Sequence, residues 1–236
     1  MGTHNTHDYF FPLLTRNGAL QGTAFLVSAE GHFMTAGHVM RAATEGGSGL
    51  AMAHRPGTDR YKAVEYEVLA HHKSADVSFG RLLDLDWDCR SFPILSRDLP
   101  LGEDVYAFGF VPPTGWTGGH YSESCRYAKG YVEMALPVGN LATPSKAYEV
   151  SFEVPPGMSG AALMTYHHEP CVGGVLVGSG RTEFVDDIVR DTETSSDGAT
   201  STAPTVYKRV LPHGVAATAA AILGIPEALA VVRVLG

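Results

Sequence analysis

Pro155-Pro156-Gly157-Met158-Ser159-Gly160-Ala161-Ala162-Leu163 sets one serine on a turn between two glycines, directly after a strand-like run (148–154) and ahead of another apolar run. A hydroxyl is a weak nucleophile until a base takes its proton and donors stabilise the oxyanion that forms. Gly157 has no Cβ, so its backbone can adopt a turn conformation that aims its N–H, beside that of Ser159, at a developing negative charge. Gly160 reads as the residue that lets a substrate chain approach closely. G-x-S-G is short and common, so its meaning depends on whether the chain also supplies a base and an acid in suitable settings.

It supplies both. Residues 22–39 (G-T-A-F-L-V-S-A-E-G-H-F-M-T-A-G-H-V) read as a strand, a turn at Glu30-Gly31, a second strand and a short turn carrying His38. A histidine that follows a buried strand is held on rigid scaffold, as a general base must be. Residues 75–82 (A-D-V-S-F-G-R-L) set Asp76 at the mouth of an alternating strand. An acid there accepts the imidazole N–H, fixes its tautomer and stabilises the imidazolium. Its rivals Asp84, Asp86 and Asp88 crowd around Trp87 and read as a solvated loop. The order is His38, Asp76, Ser159, at separations of 76 − 38 = 38 and 159 − 76 = 83 residues.

In content, order and spacing these three motifs resemble the chymotrypsin/trypsin-like serine proteases, bacterial members in particular, over about residues 22–179. Residues 105–110 and 129–133 look like early strands of that family's second barrel. The resemblance implies an all-β fold of two six-stranded antiparallel Greek-key barrels, with the active site in the cleft between them and a short C-terminal helix. It divides the chain into an N-terminal barrel at 9–95 carrying His38 and Asp76, a C-terminal barrel at 103–211 carrying Ser159, and a helix with an apolar tail at 212–236. It implies a serine endopeptidase: Ser159 as nucleophile, His38 as general base, Asp76 as its orienter, and the backbone N–H groups of Gly157 and Ser159 as oxyanion hole. Val177, Gly178 and Ser179, at the end of a buried strand (171–179), are implied to meet the substrate main chain and to wall the pocket for the side chain before the cut bond. Glu153, six residues before the nucleophile, falls at the pocket base in the family, where an acid favours Lys or Arg. The alternation of Glu149, Ser151 and Glu153 with Val150, Phe152 and Val154 instead sends the polar set to solvent. Two departures stand out: Met158 replaces the aspartate of a zymogen latch, and Ala161 replaces a second glycine. A catalytically silent module that binds peptides or a partner is the rival reading, and an intracellular effector protease under partner control is a third.

The rest of the chain bounds these readings. With 236 residues there is room for two small barrels, and 27 Gly and 14 Pro supply the turns an all-β chain needs. A formal net charge of −8 without a basic run excludes nucleic acid as the expected partner. Partners are instead a protein or peptide substrate, with a regulatory protein or further domains of a longer chain. Three widely spaced cysteines, Cys89, Cys125 and Cys171, and a polar start at 1–8 point to a reducing, cytoplasmic setting. The tail at 226–236 is too short and interrupted to span a membrane. His71-His72 and His167-His168-Glu169 read as surface turns, so no metal is expected, and no phosphate or dinucleotide fingerprint calls for a cofactor. Asn17-Gly18 marks a hairpin turn, and 61–70 alternates as a half-buried strand. The first barrel is expected to close near Ile94. The acidic, hydroxyl-rich stretch 187–205 reads as a loop, 206–211 as a last strand, and the alanine-rich 214–223 as the terminal helix.

Overall fold

Strands of five to eleven residues close the first half of the chain into a barrel. Phe10–Leu14 (β1) is buried along its whole length and pairs with Leu20–Leu26 (β2). Pro12 is tolerated in β1 because pairing with Leu50–His54 (β4) involves only Leu13 and Leu14, so the missing N–H breaks no ladder there. His32–Ala36 (β3), Tyr61–His71 (β5) and Val77–Leu82 (β6) complete a ring in the order β1-β2-β3-β6-β5-β4. The helix Gly37–Thr44 (α1) leaves the end of β3. The computed structural model describes residues 6–45, 47, 49–58, 60–112, 125–138, 145–194 and 200–236, with backbone alone at 136–138, 145, 182–194 and 200–209.

The second half contains Ile94–Leu95 (β7), Asp104–Phe110 (β8), Cys125–Val138 (β9), Ser145–Val150 (β10), Ala162–His167 (β11), Glu169–Thr194 (β12) and Thr200–Thr218 (β13). Six of these run in the order β11-β8-β9-β10-β13-β12, and pairing of β11 with β12 closes the ring. The chain is therefore two closed six-stranded antiparallel barrels, as the resemblance implied. The helices Ala219–Leu223 (α2) and Pro226–Leu229 (α3) and the strand Val234–Leu235 (β14) follow.

Three sequence expectations give way here. The first barrel closes through β1 and β4, whereas Ile94 pairs in parallel with Val172 and Val234 of the second sheet. The expected loop at 187–205 is strand backbone on both sides of 195–199, which lie outside the described residues, with Asp187 opposite Tyr207 and Thr194 opposite Thr200. A ribbon needs only its own backbone ladder, and the Thr, Val and Ile of this stretch suit a strand despite its polarity. The helix expected at 214–223 starts at Ala219, because 214–217 pairs on one side with β10 and on the other with β12. Two ladders outweigh alanine's helix propensity of a fraction of a kcal/mol per residue.

Burial falls into three clusters. One fills the first barrel around Phe11, Phe33 and Met40, and one fills the second around Tyr148, Leu163 and Leu176. The third lies between them and joins Phe25, Met34 and Phe79 to Phe110, Met164, Val175 and Ile222. The apolar tail docks on the chain itself: Val231 and Val232 pack on this shared core, and β14 pairs with β7.

Candidate active site

Asp76 ends the loop before β6, and α1 begins one residue after β3, so the antiparallel β3–β6 pair brings the two together. The Asp76 carbonyl accepts from the Gly37 N–H at 2.9 Å, its Oδ1 from the His38 N–H at 2.9 Å, and its Oδ2 lies 2.5 Å from His38 Nδ1. Arg41, one helical turn beyond His38, adds a donor to Oδ1 at 3.1 Å. Burial pushes the Asp76 carboxyl up, but the bond and charge of His38, the bond from Arg41 and the His38 N–H outweigh it and hold the group below its ordinary value. Holding Nδ1 in this way leaves Nε2 as the ring nitrogen for a second partner. The His38 side chain is 45% exposed, enough for a substrate to reach it.

The loop carrying Asp76 is shaped by His72, which the sequence suggested meant little. Its Nδ1 accepts the N–H groups of Ser74 and Ala75 at 3.2 and 2.8 Å. Partial burial lowers its pKa, which keeps the ring neutral and able to accept.

Ser159 sits on the turn between β10 and β11. Gly157 and Gly160 have φ of +93° and +88°, which L side chains rarely adopt. A Cβ at 157 would lie 2.5 Å from the Phe110 carbonyl oxygen. At Gly160 the atoms in the way are Thr23 O at 2.1 Å and Thr35 Oγ1 at 2.2 Å. Gly160 is thus needed for close approach of the first barrel. Within the turn, the Met158 N–H donates to Pro155 O at 3.1 Å, Gly160 N–H to Leu176 O at 2.7 Å and Ala161 N–H to Met158 O at 3.0 Å. Among the described residues, the N–H groups of Gly157 and Ser159 meet no backbone acceptor. Met158 is fully buried, as an apolar residue in that position should be.

Thr23 of β2, a residue that sequence reasoning quoted without assigning it a role, ties this turn to the first barrel. Its N–H donates to Ser159 O at 2.9 Å and its hydroxyl to Gly157 O at 2.8 Å. The same hydroxyl accepts the Phe110 N–H at 2.9 Å, and the Thr23 carbonyl accepts from Thr35 Oγ1 at 2.7 Å. Next to it, the Cβ position of Gly22 lies 2.6 Å from the Val39 side chain and 2.7 Å from Ser159 O. The residue after His38 and the main chain of Ser159 therefore touch one glycine.

The remaining site candidates lie on both sides of this turn. A bulge between Leu176 and Gly178 takes Val177 out of register with β13, and the half-buried Val177 packs on both the first-barrel core and the shared core. Ser179 is exposed and its hydroxyl bonds the backbone of Val154. Glu153 is exposed, whereas Glu149 of the same alternating set is largely buried and paired with His213 at 3.3 Å. Among the described residues no helix is long and apolar enough to cross a membrane.

Residues 22–173 match the family model of the trypsin-like peptidase domain. The protease domain of MamO from Magnetospirillum magneticum superposes over 93% of this chain and 96% of its own, with a TM-score of 0.60 at 12% identity. The active form of the Rv3671c protease from M. tuberculosis superposes over 98% of this chain and 85% of its own, with a TM-score of 0.62 at 18% identity. At such identities these likenesses show a shared fold. No curated protein sequence matches the chain.

Proposed function

The chain belongs to the trypsin-like peptidase domain family, and from that premise we propose that it is a serine endopeptidase with His38, Asp76 and Ser159 as its triad. The observation that carries this reading is the pairing of His38 Nδ1 with Asp76 on the barrel to which Thr23 pins the Ser159 turn. His38 Nε2 takes the Ser159 proton as Oγ attacks the peptide carbonyl carbon, and the carbonyl electrons move onto oxygen. The N–H groups of Gly157 and Ser159, both without backbone acceptors, are suited to receive that oxyanion. The imidazolium, stabilised by Asp76, gives its proton to the leaving amine as the C–N bond breaks. Water, deprotonated by the same imidazole, then hydrolyses the acyl-enzyme and restores Ser159.

The substrate is a protein or peptide, and no step requires a cofactor. The three cysteines, with Cys89 and Cys171 buried as thiols, fit a reducing compartment such as the cytoplasm. A fluorophosphonate is expected to label Ser159 covalently, and Ser159→Ala to abolish both labelling and peptide hydrolysis. A folded wild-type chain that takes no label would refute catalysis and leave a binding module. Full labelling with slow turnover would point to control by a partner protein.

A further inference from the structure

We infer that the endopeptidase site accepts only a small, uncharged side chain on the residue before the cut bond, because Ser179 closes the space beside the nucleophile. The inference rests on the triad reading above and adds its substrate class. β12 runs alongside the nucleophile's turn: Gly160 N–H donates to Leu176 O and Leu176 N–H to Ala161 O at 2.9 Å. By the family resemblance, the side chain before the cut bond enters between two walls, the segment 151–156 that leads into the turn and the segment 177–180 of β12.

Both walls are anchored from behind. Ser151 exchanges bonds with Tyr131, its N–H to Tyr131 O at 3.1 Å and its hydroxyl accepting the Tyr131 N–H at 2.9 Å. Ser179 is held opposite Gly214 in the β12–β13 ladder. Across the gap the Ser179 hydroxyl accepts the Val154 N–H at 2.8 Å and donates to Val154 O at 2.9 Å. One hydroxyl thus bridges the two segments. Behind it the space is occupied: Val154 is 5% exposed, and the Cβ position of Gly214 lies 2.7 Å from Phe152 O and 2.8 Å from Val154 Cγ2. Glu153 points to solvent and Glu149 is paired with His213. A hydrogen, a methyl or a hydroxymethyl group fits such a closed site without needing depth, and a longer side chain would have to break both Ser179 bonds.

The test uses peptidyl diphenyl phosphonates whose reacting residue carries the Ala, Leu, Phe or Lys side chain, with a fluorophosphonate as a side-chain-independent probe of Ser159. The Ala probe should label the wild type at least about tenfold faster than the Phe and Lys probes, the scale on which pockets discriminate by size. Ser179→Gly should raise labelling by the Leu and Phe probes by about the same factor, while Ser179→Thr, which keeps the bridging hydroxyl, should retain the preference for Ala. Equal rates with Ala, Phe and Lys probes in a wild type that the fluorophosphonate labels would overturn the inference and spare the triad. So would a Ser179→Gly variant that labels with the fluorophosphonate but keeps the wild-type ratio. Failure of every probe, the fluorophosphonate included, would bring down the triad reading and this inference with it.

Discussion

Replacing Thr23 with valine tests how the two barrels are brought into register. Valine matches threonine in shape, so the core keeps its packing and only the hydroxyl is lost. Two bonds go with it, the donation to Gly157 O and the acceptance from Phe110 N–H. Phe110 is fully buried, so its orphaned N–H costs about 1–3 kcal/mol, and the half-buried Gly157 carbonyl adds about 1 kcal/mol. The sum is about 2–4 kcal/mol, a sizeable share of the ~5–15 kcal/mol that holds a domain folded. The Gly157 carbonyl would also be free to swing. A shift of about 1 Å in a reacting group lowers rate by about 100-fold. The control is Thr23→Ser, which keeps the hydroxyl and loses one methyl, at about 1 kcal/mol. Urea unfolding should place Thr23→Val well below Thr23→Ser, and kcat/KM on a peptide should drop at least tenfold further in the valine variant. A valine variant within about 0.5 kcal/mol of the wild type and equally active would refute the clamp.

Two further changes probe the proposed base and the proposed oxyanion donors. Asp76→Asn removes the carboxylate that bonds His38 Nδ1 and, on the proposed triad, should lower kcat by about 10⁴-fold at neutral pH. Because the folded state holds Asp76 below its ordinary value of 3.8, its contribution to stability is present above that pH and is lost as pH falls through the lower folded value. The stability gap between wild type and Asp76→Asn should therefore close only below about pH 4; a gap already closed near pH 6 in urea titrations would contradict the assignment. Gly157→Ala forces an L side chain to φ of +93° and a Cβ to within 2.5 Å of Phe110 O, so the turn must move. It should cost about 1–3 kcal/mol and greatly reduce fluorophosphonate labelling, read by thermal unfolding and labelling rate.

Local pattern identified most of the strands. β1 to β3, β6 and β8 are apolar runs between glycine turns, and their bounds lie within a few residues of those read from the chain. Pattern failed where pairing partners decided the outcome. Ile94 is a short apolar step whose sheet membership depends on which strand runs beside it. Residues 214–217 are alanine-rich, and only the ladders on both sides make them strand. The polar ribbon at 187–194 and 200–205 has little side-chain burial to announce it, because backbone pairing alone builds it.

The chemistry on offer, a histidine, an aspartate and a serine in the order and spacing of the family they resemble, was legible in the chain because motif residues and turn glycines are local properties. What each group faces depends on how the strands come together. Thr23 is an ordinary strand threonine until the second barrel arrives to accept its bonds, and Arg41 and His72 acquire their roles only where α1 and the loop at 72–76 converge on one carboxylate. Ser179 becomes a closure only because Val154, 25 residues away in the chain, lies across from it. Such roles depend on distances between segments that barrel closure sets, and no local pattern encodes a distance between strands that meet only on folding.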